Sequence, residues 1–463
     1  MSVPRASALR PPARAAALLG VALACAAVGA ASASGTSSPP GWNVRVLPVA
    51  QGQPASFSEP GIAAGPRGVM LANACTANSG APSTFWRSAD YGRTWSRGFP
   101  IGSSAIGCGD SDAAIGADGY SYSLTLGTGV NVYRSRDSKH WDGPASFPPP
   151  HGIDQPDRPW LVLVPGRPRD VLMFNSEVGG NIVAWRSHDH ARTFTGPTPV
   201  TGGLNSEAGI ALGSRPLVDP AHPSHLRLFY ETAGAAALPQ TVPDHAPSQF
   251  PLTQLWEASS TDGGRSWTNT LVLDVTKAFG AGVGSLGHLL PAPAVDRAGN
   301  FYVVLSVRLG SATDTHLFLI HSQGHGWSRP APVDGPAGTA SNVFPAVAVT
   351  RPGRLFVSWY ASRSRDFNDP AARWAEYVAA TRDALSAHPH FHALRLSGSA
   401  PVHVGAVDNM GAIGFDLGQD WALRDFQSVT VDPCGHPHVT WASDYRGTRA
   451  YTATTTPFCR PDR

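Results

Sequence analysis

From residue 42 onward, apolar and polar positions follow one pattern seven times: a short apolar strand, a turn containing Gly, Pro or Asp, and a second apolar strand. The first strands are expected near Gly61–Ala64, Ala113–Gly116, Trp160–Val164, Pro216–Asp219, Ala292–Asp296, Pro345–Thr350 and Ser428–Asp432. Their partners begin near Val69, Tyr120, Val171, Leu226, Phe301, Leu355 and His438. Period-two apolarity around a tight turn signals a hairpin, and its return every several tens of residues signals a repeat architecture. A lone hairpin cannot bury both faces, so the units must stack, and closing them into a ring leaves no end unit exposed. The pattern therefore predicts an all-β, seven-bladed β-propeller, with six blades as the alternative.

The last unit supplies strands near Ser428–Asp432, His438–Ala442 and Ala450–Thr455, and then the chain stops. The alternating segment Trp42-Asn43-Val44-Arg45-Val46-Leu47 precedes the first unit, so it is expected to provide the missing outer strand and fasten the ring by its two termini.

A third strand in most units ends in a second motif. Ser88-Ala-Asp90-Tyr-Gly92-Arg-Thr94-Trp95 and Ser260-Thr-Asp262-Gly-Gly264-Arg-Ser266-Trp267 are good copies, while the segments around Asp137 and Asp189 are worn ones. In such a turn the carboxylate accepts backbone N–H groups, Gly permits positive φ, and the aromatic ring fills the gap between sheets. These residues resemble the Asp-box repeat of secreted bacterial sialidase-like propellers. Asp90, Asp137, Asp189 and Asp262 are accordingly read as structural staples rather than catalytic carboxylates.

In a propeller the residues before each first strand and after each second strand share one face, here called the top. Cys75 and Cys108 fall there in adjacent blades, whereas Cys434 and Cys459 fall on the bottom of the last blade, which predicts disulfides Cys75–Cys108 and Cys434–Cys459. The longest inserts, at 233–251, 275–290, 361–373 and 397–424, are also on top, where loops on a rigid scaffold carry binding. The first-choice site residues are Asp157, Arg158, Tyr230, Glu231, Tyr360 and Arg363; Glu59, Asn175, Glu177, His288, Arg308, Asp425, Asp444, Tyr445 and Arg446 share the face. No cofactor is expected from the sequence; the alternative is a divalent cation such as calcium, for which Asp110, Asp112, Asp154 and Asp157 offer hard oxygen ligands.

The sialidase resemblance implies three arginines on the sugar carboxylate, a Tyr–Glu nucleophile pair and an Asp acid/base. Arg158, Arg308, Arg363 and Arg446 are available for the first role. Where the family carries its first Arg, however, this chain has Ser58-Glu59-Pro60, and Tyr230 and Glu231 are neighbours on a strand whose side chains alternate between faces. A propeller that binds an extracellular glycan or similar polar ligand is therefore expected, with an exo-glycosidase of sialidase type as the alternative.

Composition adds the compartment. Arg5, Arg10 and Arg14, an uncharged Ala/Leu/Val run and Ala31-Ser32-Ala33 form a secretory signal over residues 1–33, followed by a linker at 34–41 and one propeller domain at 42–463. Lipid attachment at Cys25 is the alternative form of export, to the cell envelope. The chain has 35 basic residues, three of them in the signal, so 32 face 33 acids in the mature protein. No basic run remains, which excludes a nucleic-acid partner on electrostatic grounds, and a closed ring with no membrane span in the mature chain is expected to act as a monomer.

Overall fold

The computed structural model describes residues 38–50, 57–76, 82–102, 110–126, 129–145, 147, 156–177, 182–201, 213–233, 252–280, 283–287, 290–309, 314–407 and 423–460. The expected signal peptide, Cys25, Cys108, Asp154 and His288 lie outside these residues.

Seven antiparallel sheets form the blades of a β-propeller. The inner strands are Phe57–Ala64, Ser111–Ile115, Pro156–Leu163, Leu217–Val218, Ala292–Val295, Ser341–Arg351 and Ser428–Val431, in agreement with the sequence pattern to within a few residues. Each pairs with the strand that follows it, from Met70–Thr76 in blade one to Pro437–Ser443 in blade seven. Among the described residues the α-helical content is one short segment, Val275–Phe279, and no helix is long and apolar enough to cross a membrane.

The ring closes as the alternation of residues 42–47 predicts. Trp42–Val46 runs antiparallel to Arg449–Thr455, from Trp42 opposite Thr455 to Val46 opposite Tyr451, and becomes the outer strand of blade seven. Cys434 and Cys459 form a disulfide that ties this blade's inner turn to the segment after its third strand. Cys75 is also disulfide-bonded.

Alternation within the strands explains the packing. In blade five, Tyr302 and Val304 join a buried cluster with Leu355, Val357 and Trp359 of blade six, while Val303, Leu305 and Val307 join one with Phe229 and Leu255 of blade four. Successive side chains face opposite neighbours, so the second strand is apolar on both faces and reads as a continuous run. Buried clusters of this kind occupy every junction between blades, with Trp86, Trp185, Trp359, Trp374 and Trp441 among the largest fully buried side chains.

The staples form as their chemistry requires. Asp262 accepts the N–H groups of Arg265 and Ser266 at 2.8 and 3.0 Å and the hydroxyls of Ser260 and Ser266 at 2.8 and 2.6 Å. Asp90, Asp137 and Asp189 hold their turns in the same way. Blade six adds a fifth turn of this type, Asp383 accepting from Thr381 Oγ1, His390 N and His390 Nδ1, whose longer spacing hides it from the motif.

Candidate functional site

Three inner strands open with a residue followed by proline: Glu59-Pro60 in blade one, Arg158-Pro159 in blade three and Phe344-Pro345 in blade six. Proline cannot donate to the ladder, and the pairing register skips at each position. The pre-proline residues sit at φ 49, 43 and 55°, and Arg424 ahead of the blade-seven inner strand sits at 55°. Non-glycine residues held at positive φ each cost roughly 1–3 kcal/mol and collect at ligand sites. Here they ring the top of the channel.

Arg158 is the centre of this ring. Its guanidinium carbon lies 3.8 Å from the Trp160 ring centroid and 3.6 Å from that of Phe426, so aromatic rings of blades three and seven clasp it. Its backbone N–H donates to Asp110 Oδ2 at 2.9 Å and Asp157 Oδ1 at 2.8 Å, and its Nη1 is 3.5 Å from Asp110 Oδ1. The side chain is 2 % exposed, yet Nε, Nη1 and Nη2 have no hydrogen-bond acceptor among the described residues.

Two carboxyls beside it hold their protons unusually tightly. Burial drives the Glu59 carboxyl well above its ordinary value, the charges of Asp110 and Asp425 add to the rise, and Arg158 and Arg424 oppose it. The protein packed around Asp157 weakens its hydration and, with Asp110 and Asp425, raises its carboxyl to about 7, although the side chain itself keeps contact with solvent. Below the ring, an axial cavity of about 110 Å³ is lined by Gly61, Asp112, Trp160, Arg215, Pro345 and Phe426, among others. The arrangement can bind through charge, aromatic faces and protonated carboxyls at once.

Of the first-choice residues, the structure brings together Asp157 and Arg158 and separates the rest. Tyr230 packs between blades three and four with its hydroxyl donated to Asn269 Oδ1 at 2.9 Å. Tyr360 is buried between blades six and seven, where its hydroxyl accepts the Ala442 N–H at 2.7 Å. Both tyrosines had been placed at the mouth; strand alternation instead turns their rings into blade junctions, where burial drives both phenol values upward. Glu231 is buried on the face opposite Tyr230, its carboxyl raised well above the ordinary range by burial, so the adjacent pair does not form a Tyr–Glu couple. Arg363 is exposed, Arg308 lies 5.4 Å from the Phe367 ring and Arg446 lies 5.2 Å from the Tyr445 ring.

The calcium candidates are engaged differently. Asp112 pairs with Arg215 and accepts the N–H groups of Ala113 and Leu161, both at 2.9 Å, while Asp110 serves Arg158. Among the described residues, Asp110, Asp112 and Asp157 do not form a group whose ligand atoms all lie within 4.8 Å of one another.

The sequence assigns no site role to Trp160, Phe426, Arg424 and Arg215. The missed signal is the proline near the start of the inner strands of blades one, three and six, which marks the bulges that aim the preceding residue.

No known family pattern matches the sequence, and no curated protein matches it. Similar solved structures are numerous. A lectin from Burkholderia pseudomallei is 11% identical with a TM-score of 0.50, over 84% of this chain and 96% of that one. The likeness is one of fold. An α-L-arabinanase from Penicillium chrysogenum is 14% identical with a TM-score of 0.46, over 74% of this chain and 92% of that chain. An ulvan lyase, described as a new family of polysaccharide lyase, is 12% identical with a TM-score of 0.48, over 86% and 90% respectively.

Proposed function

We propose that this chain is an exported propeller that recognises an extracellular glycan at the top of its channel. The observation that carries the reading is Arg158: a buried guanidinium clasped by two aromatic rings, with three nitrogens lacking an acceptor among the described residues. A buried donor of this strength gains most from an oxygen-rich ligand, and sugar rings supply both hydroxyls for the guanidinium and C–H faces for Trp160 and Phe426. Protonated Glu59 and Asp157 add O–H donors that ionised carboxylates lack. The carbohydrate names attached to the similar folds agree with this reading without carrying it.

The test is a glycan-array measurement on the wild type, Arg158→Ala and the staple variant Asp90→Ala. Retained binding in Asp90→Ala with loss in Arg158→Ala supports the site; a glycan bound equally by all three overturns it.

A second reading, an exo-glycosidase, draws on Asp157. A carboxyl that titrates at about 7 is protonated for part of the population at neutral pH, as a general acid must be. Simple sialosides are not the expected substrate, because Glu59 stands where the resemblance calls for an arginine. Dye release from a fluorogenic glycoside panel that disappears in Asp157→Asn would favour this reading over binding alone.

A further inference from the structure

The bottom face of blade four carries a histidine cluster unrelated to the channel mouth. The turn between the blade's inner two strands reads Asp219-Pro220-Ala221-His222-Pro223-Ser224-His225, so a possible ligand recurs at every third residue, with proline after each of the first two. Consecutive tight turns close the loop: His222 N–H donates to Asp219 C=O at 3.2 Å, His225 N–H to His222 C=O at 2.7 Å, and Asp219 N–H back to His225 C=O at 2.9 Å. One turn per ligand places the three side chains on one side. The His222 and His225 rings are stacked with centroids 5.0 Å apart, and one ligand atom from each of Asp219, His222 and His225 lies within 4.8 Å of the others.

The corresponding turns in blades five and seven start from the same Asp but finish differently. Asp296 receives Ala298 N and Asn300 N on one oxygen and Asn300 Nδ2 and Tyr302 OH on the other. Asp432 receives Cys434 N and His436 N, and its second oxygen meets buried His438 at 3.1 Å and the His436 ring at 3.5 Å, with no stacking between those two histidines. Asp219 Oδ1 receives one backbone N–H, from Ala221 at 2.8 Å, and Oδ2 faces His222 Nδ1 at 3.1 Å. Nothing in folding a hairpin requires two stacked, solvent-reaching histidines there. Two stacked imidazoles beside a carboxylate with spare lone pairs make a donor set that a metal ion can use.

We infer that Asp219, His222 and His225 form a binding site for one divalent transition-metal ion of borderline softness, Zn²⁺ being the representative case. Two imidazoles and a carboxylate suit such an ion, and metal–ligand bonds of about 2.0–2.1 Å set neighbouring donor atoms roughly 3 Å apart, which is the Oδ2 to Nδ1 spacing found here. The bond from Ala221 N–H to Oδ1 orients the carboxylate, as outer partners of metal ligands commonly do. Three protein ligands and solvent access at His222 leave further coordination positions to water.

The test uses the full, untagged chain titrated calorimetrically with Zn²⁺, with Co²⁺ as a spectroscopic substitute. The wild type is expected to bind one equivalent at this site and to show the ligand-field bands of imidazole-bound Co²⁺. His222→Ala and His225→Ala should each weaken binding at least tenfold, in line with the loss of one ligand. His222 is largely exposed, so that variant keeps the fold even if His225→Ala does not. His390→Ala, in a separate histidine-rich surface segment, should leave the site unchanged. Absence of saturable binding in the wild type, or binding undiminished in His222→Ala, would overturn the assignment.

Discussion

Arg158 and Phe426 meet across the channel, the guanidinium carbon 3.6 Å from the ring centroid, so that a cation from blade three is held by the residue leading into blade seven. A desolvated cation–π contact contributes about 2 kcal/mol or more, against about 0.5–1 kcal/mol at an exposed site. A double-mutant cycle of Arg158→Met and Phe426→Leu should therefore give a coupling energy of about 2 kcal/mol in urea unfolding. Additive effects of the two substitutions would mean that the contact does not contribute to stability.

The acid side of the same cluster sets a pH dependence. Asp157 and Glu59 hold protons in the folded chain at pH values where the unfolded chain has released them. A raised carboxyl contributes nothing below its unfolded value, then lowers stability progressively until pH passes its folded value. The wild type should thus lose stability between about pH 4 and about pH 7 relative to Asp157→Asn, which keeps an oxygen for the Arg158 N–H but cannot ionise. Urea midpoints of both proteins across this range check the sign; a difference that shrinks or stays flat as pH rises contradicts it.

Much of the fold was legible because the strands obey a strict period of two. Inner strands, hairpin turns and the closing strand all follow from residues such as Val303 and Val304, which must face different neighbours whatever the local loops do. The site was legible only in part. Charge and position single out Asp157 and Arg158, which lie together at the mouth. They do not exclude Tyr230 and Tyr360, which pack between blades, because a tyrosine near a strand end looks the same in sequence whether its ring turns inward or toward the next blade. Trp160 is legible in the sequence only as the start of an inner strand. Only the register skip before it, set by Pro159, shows why the preceding arginine meets its face.

The staples give a prediction about stability without function. Hydrogen bonds from the Ser266 hydroxyl and N–H, with those from Ser260 and Arg265, hold the Asp262 carboxyl below its usual range. Asp262→Ala removes a charge-assisted network on a partly exposed turn and should cost about 1–3 kcal/mol. The loss should fade as the solution is acidified below about pH 4, since the unfolded chain then binds a proton at Asp262 that the folded carboxylate still refuses, and the wild-type advantage falls away. Glycan binding in the folded variant should match the wild type. A variant as stable as the wild type at neutral pH would show that the turn is held by its backbone alone.

The closing strand offers the most direct test of the architecture. Residues 42–46 pair along their length with Arg449–Thr455, Leu47 N–H continues the ladder to Ala450 C=O at 2.9 Å, and Leu47 is buried beside Phe57 and Trp86 of blade one. A chain beginning near Ser56 would expose the whole edge of Arg449–Thr455 and open the apolar seam at Leu47, so it should melt well below the intact chain and self-associate through the free edge. Adding back a synthetic peptide of residues 38–50 should recover part of the loss, because strand addition restores both the ladder and the seam. A truncated chain that melts with the intact one, or that ignores the peptide, would show that the ring is fastened elsewhere.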